Sequence, residues 1–272
     1  MTTVRQAAAR ELTRLPSDDP RAVVVSGRDP GLAAGFLEAA PERRILAPAA
    51  ASRVAVGAGA AMAGRPTITV LETDEGVAPG PWDLGGALVA LTDALPVATA
   101  AHGAGVNVLQ PAWPTDVGPI LHAAIAMARP ACLYLHQLDL PERPRELDAP
   151  HAGRPRALAR GDAATVVASG RLVPAVAEAV RLMAARGVEA AAFELAMLPV
   201  RGLTPEDAAA GVLVGGPPSD GASAALELPG RRDLRWVKVD AADPAGVADE
   251  LLRALRPSRR PGSASSGRSS ST

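Results

Sequence analysis

The sequence predicts an α/β protein built from two doubly wound parallel-sheet domains. Three observations carry this reading. Short apolar runs bounded by turn residues, such as AVVVSG at 22–27, alternate with segments of helical periodicity along most of the chain. A stretch rich in Pro, Arg and acids at 139–158 interrupts the alternation, which then resumes. With 48% apolar residues in 272 positions, there is enough material for two cores.

The elements follow in order. TVRQAAARELTRL places Val4, Ala8, Leu12 and Leu15 at helical spacing, and DDPR ends that helix. AVVVSG is a continuous apolar run of the kind found in buried parallel strands. PGLAAGFLEAA reads as a helix stopped by Pro41. RILA is a short strand, and a helix spans roughly 49–63, closed by Gly64. PTITVLE at 66–72 is β-branched and reads as a strand. WDLGGALVALTDA is read as a helix and LPVATAA as the strand after it. VNVLQP is a strand, PTDVGPILHAAIAMA a helix and PACLYLH a strand. The first domain therefore covers 1–138, and 139–158 is a linker. The second, smaller domain covers 159–255. Its strands are AATVVASG, VEAAAFEL, GVLVGG and LRWVKVD, and its helices are LVPAVAEAVRLMAARG, the short TPEDAAA and DPAGVADELLRAL. The tail from Arg256, RPSRRPGSASSGRSSST, cannot bury a core, so 256–272 is expected to be disordered.

Composition removes several classes of function. The formal net charge of −1 argues against a large nucleic-acid footprint; the basic residues are almost all Arg, with Lys238 the only lysine. The opening MTTVRQAAAREL lacks a signal-type apolar core, and no segment approaches the roughly 20 apolar residues of a membrane span, so a soluble cytoplasmic protein is expected. Cys132 is the only thiol and is expected to be a small buried hydrophobe. The four histidines show no metal-ligand spacing, and no serine sits in a nucleophile elbow. GAGAAMAG lacks the strand before it and the acid after it that dinucleotide binding requires. Small residues at 57, 59 and 63 are expected to let this helix pack closely against a neighbour.

The order of the pieces resembles the C-terminal half of the transketolase family. That half consists of a pyrimidine-binding α/β domain and a smaller transketolase C-terminal-type α/β domain. Three stretches carry the likeness: DDPRAVVVSG through AGAAMAGRPTITV, then VNVLQPAWPTDVGPILHAAIAMARPACLYLHQ, then LARGDAATVVASGRLVPAVAEAVRLMAARGVEAAAFELAMLPV. The resemblance implies thiamine diphosphate with magnesium as cofactor. In the family a Glu in an IAEQ motif hydrogen-bonds the cofactor's pyrimidine ring and promotes its reactive tautomer. Aligned backward from AMAG, Ala50 falls at that Glu and Ala51 at the Gln after it. Alanine carries no side-chain acceptor, and no Asp or Glu lies between Arg43 and Leu71.

Other family features are altered. The aromatic segment that covers the pyrimidine is represented by LETDEGVAPGPWDLGG, which keeps Trp82 and Asp83 as the weak cofactor-binding candidates. The DGPTHQ loop is missing. Ala196 stands where the family often carries Arg, and GGPPSD replaces its EEH segment. His102 follows a predicted strand, where open α/β sheets place ligands, and is the remaining candidate for a phosphate or sugar hydroxyl. The competing reading is a loop histidine without a role. His122 is expected to pack on a helix, His136 to end a strand without an acidic or thiol companion, and His151 to be solvated in the linker. No GDG…N motif for the diphosphate and metal is present, so the resemblance implies a separate diphosphate-binding-domain subunit as partner.

On this reading the chain is a degenerate subunit without catalytic residues of its own, inactive alone, assembling as a homodimer or heterotetramer. The family places the GAGAAMAG helix at its dimer interface, which makes that helix a contact surface. Two alternatives stay open. One is an active subunit of a split two-carbon (ketol or acyl) transferase. The other is a non-catalytic α/β scaffolding module.

Overall fold

The computed structural model describes residues 2–71, 86–137, 139–140, 142–151, 153–198, 211–215, 235–238 and 243–255. Trp82, Asp83, the TPEDAAA segment, GGPPSD beyond Gly215 and the tail from Arg256 lie outside the described residues.

The chain opens with β1 (Thr2–Thr3) and α1 (Val4–Asp18). A reciprocal capping box starts α1: the Gln6 amide donates to Thr3 Oγ1 and the Thr3 amide to Gln6 Oε1, each at 3.0 Å. Then come β2 (Val23–Ser26), α2 (Ala34–Ala39), β3 (Arg44–Leu46), α3 (Ala50–Met62) and β4 (Thr67–Leu71). They are followed by β5 (Leu88–Thr92), α4 (Leu95–Gly103), β6 (Asn107–Leu109), α5 (Val117–Ala126) and β7 (Ala131–Tyr134).

A short β8 (Asp139–Leu140) pairs with β1. After it lie β9 (Arg156–Ala159), β10 (Ala164–Ala168), α6 (Val173–Ala184), β11 (Ala190–Glu194) and β12 (Met197–Leu198). The described chain closes with β13 (Gly211–Gly215), β14 (Arg235–Lys238) and α7 (Pro244–Leu255). None of the described helices is long and apolar enough to cross a membrane.

The expected α/β class is what forms. Six parallel strands make the first sheet in the order β6-β7-β5-β4-β2-β3, and β12 adds antiparallel at the β6 edge. Alternate side chains feed two different cores. Val24, Ile68, Val89, Leu91 and Leu133 meet Leu12, Leu15, Phe36, Ile120 and Leu121 from α1, α2 and α5. On the other face, Ala90, Val108 and Cys132 meet Val54, Val97 and Ala101 from α3 and α4. Helices thus cover both faces, which is why these strands read as unbroken apolar runs. Cys132 is fully buried, and burial pushes its thiol up to about 12, so it acts as a hydrophobe. The second sheet has the order β14-β13-β10-β11-β9, parallel except for β9. It packs on α6 and α7 through Val166, Val176, Val180, Met183, Val247 and Leu251.

Two expectations are corrected. Residues 86–94 are not helical: Leu88–Thr92 is strand β5, buried at all five positions, where a run without alternation fits a helix or a strand equally well. Residues 95–101 are not a strand: they belong to α4, and Pro96 sits in its first turn, where the missing N–H breaks no helical bond. Of the small residues at 57, 59 and 63, Gly57 makes the close contact. A Cβ there would lie 2.4 Å from Thr69 Oγ1 and 3.0 Å from Leu88 Cδ1, so this side of the helix rests directly on β4 and β5. Gly59 has nothing within 4 Å, and Ala63 is exposed.

The two sheets are interlocked. Trp113, only 1% exposed, belongs to the core of the second sheet although it lies between β6 and α5. The Gln110 amide donates to the Ala196 carbonyl at 2.8 Å, beside the β6–β12 pairing. At the centre is Arg156 of β9. Its Nη2 donates to Asp116 Oδ2 at 2.7 Å, its Nε to Glu194 Oε2 at 2.7 Å and its Nη1 to the Asp148 carbonyl at 2.7 Å. The guanidinium stacks 4.9 Å from the Trp113 ring centroid, and Arg143 pairs with the second Asp116 oxygen at 2.6 Å. Arg156, Asp116 and Glu194 are buried together, and Arg143 reaches them from a partly exposed position. Removing one partner from such a cluster typically costs about 3–5 kcal/mol.

Burial pushes the Glu194 carboxyl up to about 7, with Arg156 opposing the shift and Asp116 adding to it. The folded state therefore holds this proton more tightly than the unfolded chain. The stability that Glu194 contributes is complete below the ordinary carboxylate range and is lost as pH rises through about 7. Urea unfolding of the native chain and the Glu194→Gln variant from about pH 5 to about pH 8 should show this. The native chain should lose on the order of 1–3 kcal/mol relative to the variant across that range. A difference that stays constant with pH would assign the proton elsewhere.

Candidate functional site

Parallel strands end with carbonyl oxygens that no further strand satisfies, and in doubly wound sheets ligands bind at that carboxyl edge. Here the edge is formed by the ends of β2, β3 and β4 and the first turn of α3. Two arginines fill it. Arg53, 3% exposed, donates from Nε to the Ala47 carbonyl at 2.9 Å, from Nη2 to Pro48 at 2.9 Å and from Nη1 to Val70 at 3.0 Å. Arg44 donates from Nε to Ser26 Oγ at 3.1 Å, and from Nη2 to the carbonyls of Gly27 and Arg28. Gly27 is tight against this arrangement, because a Cβ would lie 2.8 Å from Arg53 Nη2. Ala50 is the first residue of α3 and is 7% exposed; its methyl joins the core shared by α3 and α4.

The histidines do not converge here. His102 does not follow a strand. It lies in the last turn of α4, and that helix runs back from the end of β5 to the start of β6, which places His102 at the opposite, amino edge of the sheet. The error follows directly from the exchanged helix and strand at 86–101. His122 is exposed on α5, 4.0 Å from Asp18 Oδ2, and His151 is exposed. His136 does lie past the end of β7, buried, with Nε2 3.2 Å from the Pro111 carbonyl and Nδ1 without a hydrogen-bond partner among the described residues. An open groove of about 860 Å³ crosses α1 and α5, on the other face of the sheet from α3; Arg10, Glu11, Arg14, His122 and Glu142 line it. Among the described residues no group of His, Cys, Asp and Glu is placed to hold a metal ion.

Sequence reasoning missed Arg44 and Arg53. It also missed the Asp116–Arg156–Glu194 cluster, whose members are separated by 38 and 40 positions and carry no local motif. The one available signal for Arg53 was a lone charge inside ILAPAAASRVAVGAGAAMAG, an otherwise neutral helix that packs on a sheet.

No family model and no curated protein matches the sequence. Solved structures do match. A structure described as a split gene transketolase, an inactive beta4 tetramer, superposes with a TM-score of 0.72 at 17% identity, covering 93% of this chain and 98% of that one. A transketolase variant from Pichia stipitis gives 0.66 at 16% identity, and the transketolase of that organism in complex with sedoheptulose 7-phosphate gives 0.68 at 15%. Each of these covers 93% of this chain, which spans only 46% of the Pichia chain. The chain therefore has a transketolase-like α/β fold.

The family resemblance implies a thiamine diphosphate pyrimidine ring at the carboxyl edge, beside a carboxylate at residue 50. The residues present do not supply the acid that would activate that ring. Residue 50 is a methyl, the stretch from Arg44 to Leu71 holds no Asp or Glu, and the buried charge one helical turn on is a cation. A guanidinium only donates hydrogen bonds, so Arg53 cannot supply the missing acceptor.

Burial lowers the His136 imidazole to about 4; the Arg171 charge works in the same direction and the Pro111 carbonyl opposes it. His136 is thus a neutral packing group at physiological pH. Its stability contribution is present above the ordinary histidine range and is lost as pH falls toward about 4. In an NMR titration its Cε1–H resonance should stay fixed from about pH 8 down to about pH 5.5 and move only below that. A midpoint near the ordinary histidine value would show an open, solvated ring.

Proposed function

We propose that this chain is a transketolase-like C-terminal subunit. In this reading residues 1–138 form the pyrimidine-binding-type domain, 139–158 the linker and 159–255 the transketolase C-terminal-type domain. The subunit is cytoplasmic and does not activate thiamine diphosphate by itself. It completes a thiamine diphosphate and magnesium site only beside a separate diphosphate-domain subunit, and its own half of that site is degenerate. One observation carries the reading: the fold accounts for 98% of a split-gene transketolase chain but 46% of the Pichia chain, as one subunit of a divided enzyme would. Ala50 and the buried Arg53 support the impaired half-site.

The contact surface in this proposal is the outer side of α3. Over residues 54–64 the helix carries no charge, yet Ala55, Val56, Gly59, Met62 and Ala63 are exposed, with Val56 at 38% and Met62 at 62%. Leu46 on the edge strand β3 adds a further exposed apolar side chain at 55%. A neutral surface of this kind favours a homodimer or heterotetramer.

Calorimetric titration of thiamine diphosphate with magnesium tests the reading, first into the chain alone and then with a diphosphate-domain subunit. No binding alone, binding by the pair and no two-carbon transfer are expected. Two-carbon transfer by the pair would replace this reading with an active split transferase. No association and no binding would leave a scaffolding module. In sedimentation velocity, Val56→Asp with Met62→Lys should weaken self-association by at least about tenfold.

A further inference from the structure

The carboxyl ends of β5 and β7 carry a ring of contacts centred on Asp93. Asp93 directly follows β5, and the turn that presents it is held by the Ala94 amide, which donates to Thr92 Oγ1 at 3.0 Å. The Asp93 side chain is only 5% exposed. Its Oδ2 meets two distant parts of the chain. Arg5, in the first turn of α1, forms an ion pair with it, with Nε at 3.3 Å. Gln137, just past the end of β7, donates to it from Nε2 at 2.7 Å.

A second link joins the same two parts. β1 stands just before Arg5 and β8 just after Gln137, and they pair antiparallel, Thr2 opposite Leu140 and Thr3 opposite Asp139. Thr3 also caps α1, so β1 is tied to the helix that carries Arg5. The ring is then complete: Asp93, Arg5, β1, β8, Gln137 and back to Asp93. A ladder of two residues on each side is marginal in water by itself. The Arg5 side chain is 38% exposed and Gln137 is exposed, so neither contact to Asp93 is sealed from solvent. Each link holds its segment where the other link can form. Val4 is fully buried in the core under α1, so an opening that begins at β1 stops there.

We propose that Asp93 is the keystone of a releasable clasp: one carboxylate that seats β1 through Arg5 and β8 through Gln137, so that the two strands are held together and come away together. Because β8 stands where the chain leaves the first sheet, the clasp sets the path on which the chain departs toward the second. Half of it is a partly exposed ion pair, which makes the clasp sensitive to ionic strength while the two cores are not.

Hydrogen exchange of the full chain, followed by mass spectrometry, tests this on the peptides that carry β1 and β8. Arg5→Met should speed exchange in the β8 peptide at least about threefold, although the substitution lies in the other segment. Gln137→Met should do the same to the β1 peptide. Raising sodium chloride from about 0.05 M to about 1 M should speed both peptides together in the native chain, and Arg5→Met should remove that dependence. The peptide that carries β10 should exchange at one rate throughout. If each substitution changes only its own peptide, the two contacts are independent and the proposal is overturned. Exchange of β1 and β8 that ignores salt in the native chain overturns it as well, and this second reading needs no variant to fold. Neither readout involves a partner or cofactor, so the proposal can fail while the subunit reading stands.

Discussion

The arrangement of the two sheets depends on one buried guanidinium. Arg156 reaches from the edge strand of the second sheet to Asp116 at the start of α5 and to Glu194 at the end of β11. Asp116 and Glu194 are fully buried, so neither can find water if the arginine leaves. The attraction within such a cluster roughly offsets the cost of removing its charges from solvent, so its value lies less in net stability than in geometry. The geometry it fixes is specific. Trp113 enters the second core under the guanidinium, and Gln110 meets Ala196 where β12 joins β6. An apolar replacement could fill the same volume without setting the relation of the sheets.

A similar economy operates at the carboxyl edge of the first sheet. Carbonyl oxygens collect there because parallel strands stop there, and each needs a donor from a ligand, a solvent molecule or the protein. In this chain the protein supplies donors from β3 and α3 through Arg44 and Arg53. The edge is satisfied and closed by the same bonds. The scaffold at this edge is therefore held without any acid at residue 50.

Much of the fold could be read from local pattern. AVVVSG, PTITVLE and AATVVASG are bounded by turn residues and proved to be strands; the helix from Ala50 to Met62 was legible because Gly64 stops it. The reading failed at Leu88–Thr92 and Leu95–Gly103, where burial on both faces erases alternation and a proline reads as a breaker although it opens a helix. That exchange also carried His102 to the wrong edge. At the carboxyl edge the sequence showed only that residues 44–70 hold no acid. Its positive content, Arg53 on Ala47, Pro48 and Val70 and Arg156 on Asp116 and Glu194, depends on distant parts of the chain meeting. No spacing rule reports such meetings.

The pairing of Met197 and Leu198 with Leu109 and Val108 bears on how the molecule is made. A ribosome releases β6 well before it reaches β12. Through that interval the nascent first sheet carries an uncovered margin of amide and carbonyl groups, the kind of margin that recruits neighbouring chains into aggregates. The brevity of β6, three residues, limits the hazard. Because β12 follows directly on β11, the strand that covers the margin is supplied by the chain of the second unit. Cutting the chain between its two sheets would therefore free a first half with one margin permanently bare.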